Sequence, residues 1–188
     1  MMTIRQVDRL WQLKAYERLI DELCTGRAEA VGGIRQLLQG AVPAAALTVI
    51  RMTELHQAHQ PHVAKMVRFL LAAQTPAGGW GDAASTALAV RALAAGRGAG
   101  AAIERGIEAL QELQKEDGEW PREAFRRFPG DPAVTAFVLL QLVESRSAAA
   151  NALVDHTMDR LTDSALGDAQ LAPLRRRVAA RMPAAMVA

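Results

Sequence analysis

The chain has 188 residues, 51% of them hydrophobic and 22% charged, a balance that excludes a disordered tail or a collagen-like fibre. A formal net charge of +2 with a pI near 9.1 is too small a basic excess to predict a nucleic-acid partner. Cys24 is the only cysteine, so no intrachain disulfide can form and nothing points to an oxidising compartment.

Breakers cut the sequence into helix-sized pieces and no stretch alternates with period two, so the expected fold class is all-α. Residues 3–24 carry Ile4, Val7, Leu10, Trp11, Leu19, Ile20 and Leu23 at helical spacing, and Gly26 follows as a stop. In that helix Cys24 reads as an apolar core residue. A second helix over 27–39 contains Gly32 and Gly33. Pro43 opens a third, expected to run to His59, and Pro61 opens a fourth that ends at Gln74. Helices over 85–95 and 101–115 follow. Asp131 and Pro132 read as N-cap and first residue of a helix to Glu144. Helices over 147–163 and 168–181 finish the chain, with Asp168 as cap of the last and Arg175, Arg176 and Arg177 on its solvated face. The first residues are amphipathic and charged without an apolar leader region. No stretch offers the ~18 uncharged apolar residues of a membrane span, so a cytoplasmic protein is expected.

Two segments repeat. FLLAAQTPAGGWGD contains Gln74, Gly78 and Trp80, and ALQELQKEDGEW contains Gln114, Gly118 and Trp120, at an offset of 40 residues. Each follows one helix and precedes another, so the unit is helix, Gly/Trp turn, helix, the mark of an α-hairpin repeat in which no unit buries its apolar face alone. The glycine permits a left-handed backbone after the helix. The glutamine amide can satisfy backbone groups beyond the helix end, and the indole buries a large ring while its N–H seeks an acceptor. These six residues therefore read as structural. One domain over 1–188 is expected: degenerate helices in 1–58, the repeats in 61–145, and C-terminal helices in 147–188.

The Q-x-x-x-G-x-W turns, with GDAASTALAVRAL after Trp80 and GDPAVTAFVLLQL after Trp120, resemble the QW repeats of squalene–hopene and oxidosqualene cyclases and, more distantly, protein prenyltransferase beta subunits. The resemblance covers residues 61–145. It implies an α/α toroid, partial or small here, whose inner helices line an apolar cavity for an isoprenoid or polyketide, with the turns bracing the outside. A ring of six hairpins at this period needs about 240 residues. The chain therefore suits an open arc, a smaller ring, or a homodimer whose arcs complete each other.

The chemistry of those enzymes is not carried over. Where the cyclase acid motif has D-x-D-D-T-A, this chain reads Asp131, Pro132, Ala133, Val134, Thr135, Ala136, and the first repeat reads Asp82, Ala83, Ala84, Ser85, Thr86, Ala87. One carboxylate remains in each, without the partner that makes a carboxylic acid strong enough to protonate an alkene. Aromatics that would stabilise a carbocation are scarce: three Trp, one Tyr and four Phe, with Phe137 the one on an inner helix. No Asp, Cys and His set matches the zinc site of the prenyltransferases. His56, His59 and His62 form a cluster in which the first two share a helix face, read as exposed imidazoles rather than metal ligands. No metal and no cofactor are expected.

Two functions fit these residues. The first is a cyclase- or isomerase-like protein holding a long apolar molecule, with Asp82 and Asp131 as catalytic candidates at the rim and Arg91, Thr86, Thr135 and Phe137 facing the ligand. An arginine in an apolar bowl suits a carboxylate or phosphate. The second is a non-catalytic α-hairpin module that binds another protein. The second repeat carries an insertion, REAFRRFPG, where Arg122, Phe125, Arg126, Arg127 and Phe128 interleave arginine with aromatic rings, as a lid or as an interface.

Overall fold

The structure, a computed structural model, describes residues 40–96, 99–145 and 147–161. The expected helices over 3–24, 27–39 and 168–181, with Cys24, Asp168 and Arg175–Arg177, lie outside the described residues. Among those described the chain is all-helical: α1 (Ala41–Glu54), α2 (Pro61–Ala73), α3 (Ala83–Gly96), α4 (Gly100–Leu113), α5 (Pro132–Ser145) and α6 (Ala148–Arg160).

Local chemistry sets the boundaries. Pro61 and Pro132 occupy first helical positions, where the missing N–H costs nothing and the ring presets φ. α2 and α4 both stop because a glutamine leaves the helical region, Gln74 at φ −64°, ψ 128° and Gln114 at φ −67°, ψ 138°. α1 ends at Glu54, five residues short of the expected His59. The reason is a Schellman closure: His56 N–H bonds the Thr53 carbonyl at 3.0 Å and Gln57 N–H the Met52 carbonyl at 2.7 Å. His56 takes the left-handed position (φ 57°) where glycine is usual. His56 and His59 therefore do not share a helix face, which corrects the sequence expectation; both, like His62, are exposed.

α1, α3 and α5 pack side by side as a row. Each is joined to a hairpin mate that lies on the row: α2 on α1 and α3, α4 on α3, α6 on α5, with α4 and α6 also in contact. α3 thus has α1, α2, α4 and α5 around it, and every residue from Ala83 to Val90 is buried. This is why half of its 14 residues are alanine: four neighbours leave little room around the helix for larger side chains. α5 is buried over most of its length as well, filled by Phe137, Leu139, Leu140 and Leu142. Each such side chain stabilises the fold by ~1.5–3 kcal/mol over an exposed one.

Candidate functional site

The two turns are built the same way, bond for bond. Gly78 and Gly118 sit at φ 84° and 85°, a conformation open to glycine. In each, the glutamine Nε2 donates to the glycine carbonyl, at 2.7 Å from Gln74 to Gly78 and 3.0 Å from Gln114 to Gly118. The indole N–H reaches back to the preceding helix, Trp80 to the Leu70 carbonyl (2.7 Å) and Trp120 to the Leu110 carbonyl (2.8 Å). The tryptophan backbone N–H donates to the threonine of the following helix, Trp80 to Thr86 Oγ1 (3.0 Å) and Trp120 to Thr135 Oγ1 (2.9 Å). Those hydroxyls in turn donate to the Asp82 and Asp131 carbonyls. Thr86 and Thr135 are both fully buried.

Each turn is also fastened to the next hairpin. Gln74 Nε2 bonds the Ala102 carbonyl of α4 (2.8 Å), while its Oε1 accepts from Arg105 Nη2 (2.6 Å). Gln114 Nε2 bonds Thr157 Oγ1 of α6 (2.7 Å). Gly78 lies so close to α4 that a Cβ there would stand 2.5 Å from the Arg105 carbonyl oxygen. Gly106 makes room for the Trp80 ring, which would be 2.9 Å from a Cβ at that position.

The carboxylates are engaged at helix N-termini. Asp82 accepts from Ser85 N–H (2.8 Å) and Ser85 Oγ (2.9 Å). Asp131 accepts from the Ala133 and Val134 N–H groups and from Arg122 Nε (2.9 Å) and Nη2 (2.7 Å). Arg91 crosses the helix row: Nη1 donates to Gln141 Oε1 (2.8 Å) and Nη2 pairs with Glu54 Oε1 (3.0 Å), its side chain 11% exposed. Phe137 is buried in α5. Asp82 and Asp131 each stand beside the threonine of their own repeat, and Arg91 reaches Glu54 and Gln141 instead. The partners Glu54, Arg105, Gln141 and Thr157 carry no motif signal; they are visible only once the helices are placed. Among the described residues no group of three or more His, Cys, Asp or Glu could hold a metal ion.

The insertion leaves and returns at one point. Pro121 and Gly130 form an isolated antiparallel bridge, Asp131 N–H bonds the Trp120 carbonyl (2.9 Å), and Arg122 pairs with Asp131 across the foot. Lys115 Nζ holds the Arg126 carbonyl at 3.4 Å and a Phe125–Phe128 backbone bond closes the tip. There Arg127 lies over both rings, 5.1 Å from the Phe125 centroid and 5.3 Å from that of Phe128. Phe125 is 59% exposed. Under the foot sits Glu119, 7% exposed and against Gly130; burial, then Asp117, then Asp131 hold its carboxyl above the usual range. Its counterpart in the first repeat is Gly79, an exchange readable in the repeat alignment. No helix among the described residues is long and apolar enough to cross a membrane. No known protein family matches this chain, and no curated protein or solved structure matches it either.

Proposed function

We propose that the protein is a non-catalytic α-hairpin repeat module, a segment of an α/α toroid used as a scaffold, that binds another protein through residues 121–130. The observation that carries this reading is Phe125, 59% exposed on a loop whose foot and tip are both pinned. A large ring held out in water by a preorganised loop, with arginine beside it, is the anatomy of an interface anchor, and preorganisation lowers the entropic cost of docking. The reading of a cavity for an isoprenoid or polyketide rests on the resemblance to the cyclases. It draws less from the geometry, since Asp82, Asp131, Thr86, Thr135 and Arg91 all hold partners within the chain.

A photo-crosslinking residue placed at position 125 tests the proposal, with one at the exposed Lys65 of α2 as control. A protein adduct specific to position 125 should be identified by mass spectrometry and rebuilt from purified components, and Phe125→Ala should weaken that complex about 30-fold, the effect of an interface anchor. Absence of any such adduct, with an isoprenoid or polyketide retained in native mass spectrometry, sinks the interaction reading in favour of the cavity.

A further inference from the structure

A second patch on this molecule has the chemistry to receive that loop. Glu104, Glu108 and Glu112 stand four residues apart on α4 and all are exposed, so they form one acidic stripe with roughly 6 Å between neighbours. Like charges at this spacing destabilise a helix unless cations lie beside them. The two cations nearest along the chain are drawn elsewhere: Arg105 donates to Gln74 Oε1 and Lys115 to the Arg126 carbonyl. On the loop, Arg126 and Arg127 are exposed, while Arg122 is spent on Asp131. Among the described residues no ion pair joins Arg126 or Arg127 to the stripe within one chain.

We propose that the partner of the 121–130 loop is a second copy of this chain, Arg126 and Arg127 of one copy pairing with Glu108 and Glu112 on α4 of the other while Phe125 is covered. This rests on the interaction reading above and names its partner. Loop and stripe are different patches of one surface, so the contact either closes reciprocally about a two-fold axis or runs head to tail. Either way it strengthens at low ionic strength, since exposed pairs are screened by salt.

Sedimentation velocity of the full chain over a concentration series, at low and high salt, reads the association. The expected result is concentration-dependent association that weakens at high salt. Two charge-reversed variants, Arg126→Glu/Arg127→Glu and Glu108→Arg/Glu112→Arg, should each lose it by roughly 100-fold or more, and mixing the two should restore a complex. All four positions are exposed, and circular dichroism shows whether each variant keeps its helices. A wild-type chain that stays monomeric at every concentration and salt overturns the inference, as does an association indifferent to both reversals or a mixture that fails to recover it. A monomer that still gives a protein adduct from position 125 overturns the self-pairing and leaves the interaction module standing.

Discussion

At Gly78 two constraints meet. Its φ of 84° costs a residue with a Cβ about 1–2 kcal/mol, and a Cβ would press on the Arg105 carbonyl at 2.5 Å, where backbone must move. Gly81 separates the two effects, because it has φ 95° and nothing within reach of a Cβ. Gly78→Ala should therefore cost about 2–4 kcal/mol in chemical denaturation and Gly81→Ala only about 1–2 kcal/mol. Equal losses would show that the close approach to α4 carries no weight.

The element scale is governed by how α5 is held at its start. Thr135 Oγ1 accepts the Trp120 backbone N–H and donates to the Asp131 carbonyl, and both Trp120 and Thr135 are fully buried. Thr135→Val keeps the shape but leaves a buried donor unsatisfied, a loss of about 1–3 kcal/mol, whereas Thr135→Ser keeps the hydroxyl and should retain most of the stability. Thermal unfolding of the two variants decides it; equal midpoints would mean that the side-chain methyl, not the bond, is what matters. The same residue shows what the sequence discloses. Two Gln-Gly-Trp turns at one spacing, with prolines at helix starts, make six helices readable, since caps and breakers act within a few residues of themselves. That Thr86 and Thr135 serve tryptophan N–H groups depends on how the chain folds back after the turn, and that Arg91 spans to Glu54 and Gln141 depends on three helices meeting. The end of α1 at Glu54 was hidden because His56 does the work of a glycine.

For the whole molecule, Glu119 ties stability to pH. Burial, with Asp117 and Asp131 nearby, raises its folded pKa above the ordinary 4.5. Below 4.5 the carboxyl is neutral folded or unfolded and imposes no penalty. As pH rises past that value the unfolded chain gives up the proton first, so stability falls until the folded group ionises at its raised value. Glu119→Gln should thus stabilise the protein at neutral pH, with a gain that fades toward pH 4.5, read from denaturation midpoints across that range. A gain that is absent, or constant with pH, would contradict the burial of this carboxyl.

Each turn completes its bonds only on the hairpin that comes after it: Gln74 needs Ala102 and Arg105, and Gln114 needs Thr157. The array therefore has a direction. On the ribosome, the first turn stays half-made until the early part of α4 has cleared the exit tunnel, and the second waits for the end of α6. Each corner is thus locked by a helix that comes after it in the chain.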